Sequence, residues 1–218
     1  MKISVKSATV FLVCMSVGVL AADNSSKMFA ERDYDHAQKA YEAGYPAKAV
    51  KYYKQACDAG HIKACYELGR AYYNGDGVER DNAKANELFK KTCDANEPDG
   101  CLNLGYSYEE GEGVKVNLAK ANEFYKKGCD LGEPLSCNNL GYWHERGEGV
   151  KQDYKKALEL YKIACGGGES FGCYNLAELY KNAKGVQKDT KKALEYYEKA
   201  CELGDNDACD EASALNEK

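Results

Sequence analysis

Apolar residues recur with a helical spacing of three and four positions, and the whole pattern repeats every 36 residues from Cys57 to Cys209. In the segments Cys65–Tyr73, Cys101–Glu109, Cys137–Glu145 and Cys173–Lys181 a stripe runs through Leu68, Leu104, Leu140 and Leu176. Four residues later it continues through Tyr72, Tyr108, His144 and Tyr180, which places both on one helical face. Gly69, Gly105, Gly141 and Ala177 follow each leucine. Because glycine costs a helix up to about 1 kcal/mol against alanine, a close backbone approach by the partner helix is expected there.

Each first helix runs into a turn: Gly75-Asp-Gly-Val78, Gly111-Glu-Gly-Val114, Gly147-Glu-Gly-Val150 and Ala183-Lys-Gly-Val186. Glycine ends the helix in the left-handed region, and the valine plugs the gap beneath. A second helix follows, capped by Asp81 or Asn82, Asn117, Asp153 and Asp189. Its apolar face is carried by Ala85, Leu88, Phe89 and their equivalents, with Lys and Glu on the other side. The prediction is an all-α fold, an α/α solenoid of 36-residue helical hairpins, with four full repeats over 65–208 and a C-terminal cap over 209–218. A variant hairpin is expected over 29–64, with Ala37 to Ala43 in its first helix, preceded by a flexible tail over 23–28.

Cysteine changes the picture most. Ten of the eleven cysteines form five pairs with seven residues between partners: Cys57/Cys65, Cys93/Cys101, Cys129/Cys137, Cys165/Cys173 and Cys201/Cys209. Pairing within each set joins a second helix to the next first helix and uses all ten. Pairing within each hairpin, 28 residues apart, would strand Cys57 and Cys209, so parity favours the local set. Each bridge would then contribute about 2 to 3 kcal/mol by loop entropy. Zinc ligands cluster two to four residues apart and redox pairs read Cys-x-x-Cys; neither pattern occurs, and no metal or other cofactor is expected.

The eleventh, Cys14, lies in a stretch that reads as a secretory signal peptide over 1–22: Lys2 and Lys6, an apolar run from Ala8 to Leu20, then small residues at the cut. A secreted or periplasmic protein with no membrane anchor after cleavage is expected. Losing the two lysines makes the formal charge of −5 two units more negative. Basic residues are everywhere interleaved with acids, which argues against nucleic acid as a partner.

The Leu-Gly step, the aromatic four residues after the leucine, Gly-x-Gly-Val and the Lys-Ala-rich second helix resemble Sel1-like repeats. With Cys-x7-Cys in every repeat behind a signal peptide, the chain resembles the Helicobacter cysteine-rich proteins, a secreted branch of that family. The resemblance covers 57–209 in full and 29–56 more loosely. The fourth repeat departs from it at Ala177, Ala183 and the Gly166-Gly-Gly168 loop.

Members of that branch are described as penicillin-binding proteins and slow β-lactamases, and the resemblance implies the same here. The chain itself contains no Ser-x-x-Lys, Ser-Asp-Asn or Lys-Thr-Gly, and its histidines, His36, His61 and His144, form no cluster in sequence. No catalytic residue can be assigned by position. His144 is expected to fill the core slot held by tyrosine in its neighbours. Glu67, Glu109, Glu112 and Glu148 read as solvated acids, with general-base catalysis as the alternative.

In arrays of this kind first helices line the inner wall, so their face opposite the leucine stripe is the candidate ligand surface. It carries Glu67, Asn103, Asn139 and Asn175; then Arg70, Tyr106, Tyr142 and Glu178; then Asn74, Glu110, Arg146 and Asn182. Asn103, Asn139, Asn175, Tyr106, Tyr142, Arg70 and Arg146 are the candidate binding residues, because asparagine both donates and accepts along an extended backbone and tyrosine adds contact area. The competing reading has these asparagines bonding neighbouring helices. The expected function is a binding module for a peptide, a protein or a peptidoglycan-like ligand, able to hold a β-lactam as a mimic of a peptide end. The alternative is a dedicated β-lactamase contributing to antibiotic resistance.

Overall fold

The computed structural model describes residues 25–217, and every regular element in that range is an α-helix. The predicted signal segment lies outside the described residues. The described residues fall into two compact units that divide between Asp81 and Asn82. The first contains α1 (25–42), α2 (Pro46–Asp58) and α3 (Ile62–Asn74). The second contains α4 (Asn82–Asp94), α5 (Pro98–Glu110), α6 (Leu118–Asp130), α7 (Pro134–Arg146), α8 (Tyr154–Gly166), α9 (Ser170–Lys181), α10 (Thr190–Glu202) and α11 (Asn206–Asn216). Among the described residues no helix is long and apolar enough to cross a membrane.

One expectation is corrected at the start. Residues 25–28 are helical instead of forming a tail, and α1 begins well before Ala37. Ala30, Ala37 and Ala40 are buried at helical spacing, so an apolar stripe made of alanine alone carries this extension.

Local chemistry fixes the helix boundaries. Asn117, Asp153 and Asp189 each accept a bond from the backbone N–H three residues on, at 3.1, 3.0 and 3.0 Å. Proline stands at the start of α2, α5 and α7, where its missing N–H costs nothing. Gly75, Gly111 and Gly147 close their helices with φ of 76°, 78° and 75°. The second glycine of each turn answers a steric need, since a Cβ on Gly113 or Gly149 would lie 2.6 Å from the Asn82 or Leu118 carbonyl carbon. The turn of each repeat therefore rests on the first turn of the preceding second-type helix.

The five disulfides pair locally, joining α2 to α3, α4 to α5, α6 to α7, α8 to α9 and α10 to α11 across Cα separations of 4.5 to 4.8 Å. At three of these bridges the residues before the two cysteines meet and one of them is glycine: Thr92 with Gly100, Gly128 with Ser136, Ala164 with Gly172. A Cβ on Gly172 would sit 2.6 Å from the Ala164 Cβ, which is why one member of the pair stays small.

Burial follows the leucine stripe closely and the aromatic one less so. Leu68, Leu104, Leu140 and Leu176 are buried, whereas Tyr72, Tyr108 and His144 are half-buried and only Tyr180 goes fully inside. The largest enclosed rings come from the second-type helices, Phe89, Tyr125, Tyr161 and Tyr197. They explain the small residues after the leucines. A Cβ on Gly105 would lie 2.6 Å from the Tyr125 ring and one on Gly141 2.8 Å from the Tyr161 ring, so a tyrosine ring makes the approach, not helix backbone as the sequence suggested.

Candidate functional site

The seven candidate binding residues divide between the two units. In unit one Arg70 pairs with Glu67 at 3.2 Å and its guanidinium lies 5.9 Å from the Tyr66 ring centre. Arg70, Glu67 and Asn74 line a cleft of about 150 Å³ together with Tyr41 and Asp76. Tyr41 donates to Asp76 at 3.1 Å, and that bond, followed by the Asp76 charge, raises the pKa of the tyrosine.

In unit two α5 and α7 place Tyr106 and Tyr142 at one register, 43% and 40% exposed. Arg146 covers the Tyr142 ring at 5.4 Å and bonds Glu148 at 2.7 Å. These residues form an aromatic and basic strip open to solvent. The asparagines behave differently. Asn175 donates to Asn138 on α7 at 2.9 Å, Asn139 accepts from its neighbour Asn138 at 3.4 Å, and Asn103 donates to the Asp99 carbonyl of its own helix at 2.8 Å. Asn175 thus ties two helices together, as in the competing reading made from the sequence, while Asn103 and Asn139 bond within their own helices.

The acids read as solvated are placed otherwise in two cases. Glu109 is half-buried and accepts from the Tyr125 hydroxyl at 2.6 Å and the Trp143 indole N–H at 3.2 Å. Glu112 accepts from Asn82, while its carbonyl accepts from Asn86 at 2.6 Å. Glu148 keeps a 44% exposed side chain. Glu67 lines the cleft of the first unit but is paired with Arg70, and Glu109 has its oxygen committed to two donors.

The bond to Glu109 belongs to a set that sequence reasoning missed. One repeat on, Tyr161 donates to Glu145 at 3.0 Å, and Lys184 reaches the other Glu145 oxygen at 2.8 Å. In the fourth repeat the residue at that register is Lys181; Tyr197 bonds Glu178 instead, and Lys181 meets Glu178 at 3.1 Å and Glu211 at 2.7 Å. Burial, reinforced by the neighbouring carboxylate, pushes the Tyr125, Tyr161 and Tyr197 hydroxyls well above the ordinary tyrosine range. For Glu178 burial opposes the charge, but its bonds to Tyr197, Lys181 and Asn182 prevail and hold its carboxyl below the usual value. The signal for this set was present as Glu109 and Glu145 each sixteen residues before a tyrosine, against Tyr73 sixteen before Phe89.

His144 occupies the register of Tyr108 and Tyr180 but stays half-buried, with Nδ1 3.4 Å from the Lys151 carbonyl oxygen. Among the described residues no three His, Cys, Asp or Glu side chains are grouped as a metal would require.

Comparison with known proteins places this geometry. Over 45 residues the chain is 44% identical to a Helicobacter pylori protein provisionally named beta-lactamase HcpE; that stretch is 21% of this chain and 13% of the relative. The crystal structure of a protective antigen from uropathogenic Escherichia coli with an SLR fold superposes with a TM-score of 0.80 at 29% identity, covering 85% of this chain and 41% of that one. A Sel1 repeat protein from Oxalobacter formigenes shares the fold at a TM-score of 0.79 and 24% identity, over 88% of this chain and 78% of its own. The chain thus spans well under half the length of two of these three relatives. The Sel1 repeat model itself matches residues 46–61, 62–97, 98–133, 134–169 and 170–205, in phase with the disulfides, and the chain belongs to the Sel1 repeat family.

Proposed function

We propose that the chain is a binding module working in an oxidising compartment, outside the cell or in a periplasm, and that its first helices present a strip to a peptide, a partner protein or a peptidoglycan-like fragment. The exposure of Tyr106 and Tyr142 at one register, with Arg146 over the second ring, carries this reading. Two large aromatic side chains left open beside a cation are the residue types that dominate binding energy at interfaces. Five disulfides support the compartment, since such bonds persist where thiols oxidise. A β-lactam, as a mimic of a D-Ala-D-Ala end, would be held by the same strip, and any hydrolysis would be incidental.

The test is fluorescence anisotropy with a labelled peptidoglycan stem pentapeptide against wild type and Tyr106→Ala/Tyr142→Ala. Both rings stand outside the core, so helicity should be unchanged while affinity falls at least about tenfold, the effect of losing one or two interface anchors. Equal affinity of the two proteins removes the strip from consideration. The name carried by HcpE favours a second reading, a dedicated β-lactamase. It predicts sustained turnover of a chromogenic β-lactam that a single substitution abolishes; a stoichiometric burst that stops supports binding alone.

A further inference from the structure

Three residues that distinguish the third repeat from the second and fourth converge on one groove. At the register where first helices carry Tyr108 and Tyr180 the third repeat has His144, and sixteen residues on, where its neighbours have Phe124 and Tyr196, it has Leu160. Lys127 and Lys199 correspond to Ile163, which is 55% exposed. In the flanking repeats the register is filled by stacked aromatic pairs, Tyr108 on Phe124 at 5.6 Å and 11°, Tyr180 on Tyr196 at 5.8 Å and 14°. A lysine then covers each tyrosine, Lys120 at 5.0 Å and Lys192 at 5.3 Å.

The third repeat keeps the lysine, Lys156, without the tyrosine beneath it. What remains is a groove of about 600 Å³ lined by Leu140, Leu160 and Ile163, with His144 and Lys156 at its sides. That volume falls in the range of small-ligand sites. Asn122 also lines it and is 3% exposed. Its Nδ2 donates to the Glu148 carbonyl at 3.2 Å, and its Oδ1 has no partner among the described residues. A buried acceptor left unpaired costs free energy until a donor reaches it.

We propose that this groove binds an aromatic side chain of a partner polypeptide, the ring taking the place of the internal aromatic pair of the flanking repeats and a backbone N–H of the partner donating to Asn122 Oδ1. The choice of occupant rests on what is missing. Lys156, which meets Glu159 at 3.3 Å, stands at the register of the lysines that cover a ring in the flanking repeats, and His144 offers a planar face on which a ring can stack. Leu140, Leu160 and Ile163 give the apolar floor, and the unpaired oxygen of Asn122, a feature shared with Asn86 one repeat earlier, can accept an N–H. The groove is built by α6, α7 and α8 from residues other than the exposed strip, so it stands or falls separately from the function proposed above.

The test is a titration of the full chain with N-acetyl-L-phenylalaninamide followed by backbone and side-chain amide NMR. Shifts at Ile163 and at the Asn122 Nδ2 group should saturate with a Kd of about 1 mM, the scale expected of so small a ligand. N-acetyl-L-leucinamide should bind several times more weakly. His144→Tyr/Leu160→Phe supplies the ring internally and should abolish the shifts with a melting temperature at or above that of wild type. If that variant fails to fold, Ile163→Lys, a surface change, should weaken binding at least threefold. Unperturbed resonances up to about 10 mM, equal binding of the leucine compound, or undiminished binding by the refilled variant would each overturn the proposal. So would shifts at the same residues produced by protein concentration alone, because the occupant would then be a second copy of the chain.

Discussion

The second and third repeats handle a buried tyrosine hydroxyl in one way, and the fourth handles it in another. Tyr125 and Tyr161 donate to Glu109 and Glu145, four residues beyond a glycine that makes room for the ring. In the fourth repeat the glycine is Ala177, the acid is Lys181, and the hydroxyl of Tyr197 goes to Glu178. The lysine does not remain a bare charge, because Glu178 and Glu211 both bond it. What the repeats share is therefore a carboxylate for each enclosed phenol, not a residue at a fixed position. An unmet hydroxyl in a low-dielectric interior is costly, while the side chain that meets it can come from either side of the ring.

The largest effect should come from breaking the shared element. Glu109→Ala leaves both the Tyr125 hydroxyl and the Trp143 N–H without an acceptor, and urea unfolding should show a loss of about 2 to 3 kcal/mol, with Glu109→Gln recovering much of it. Gly141→Ala should cost about 1 to 3 kcal/mol, since the new methyl meets the Tyr161 ring at 2.8 Å inside a packed core. Ala177→Gly, the reverse change in the fourth repeat, should cost about 1 to 2 kcal/mol, through helix propensity and the loss of a buried methyl. A smaller difference is expected with acid. Because the Glu178 carboxyl is held below its ordinary value in the folded protein, its contribution is present above the ordinary glutamate pKa and fades as pH falls through the lowered one. Replacing Glu178 by Gln should flatten the acid limb of a melting-temperature profile, and added salt should shrink the difference, as these side chains are about a third exposed. The smallest effect concerns the turn. Ala183 stands at φ 55°, where its neighbours have glycine, so Ala183→Gly should raise stability by about 0.5 to 1 kcal/mol in the same unfolding assay.

Much of the fold could be read from the chain before any coordinates. The 36-residue period, the capping Asn and Asp residues, the left-handed glycines and the local sulfur pairing are all short-range features, and each depends on a few neighbouring residues. The site was less legible. Glu109 looks solvated when only its own helix is considered; its donors come from Tyr125 on α6 and Trp143 on α7. The asparagine ladder shows the same difficulty from the other side. Asn103 and Asn175 look alike on a helical wheel, yet one bonds the Asp99 carbonyl of its own helix and the other Asn138 on α7. The groove of the third repeat arises from the coincidence of His144, Leu160 and Ile163 on three-dimensional neighbours, and each of these substitutions taken singly reads as an ordinary variation.

Apart from the start of α1, the amino-acid sequence by itself determined the helices, their order and the sulfur bridges, because these follow from periodicity and from contacts between residues close along the chain. Only the tertiary structure decided which acids are enclosed, which asparagines join helices and where the third repeat leaves room for a ring. Those outcomes depend on side chains from three helices meeting around one point, and no spacing within a single helix encodes that meeting.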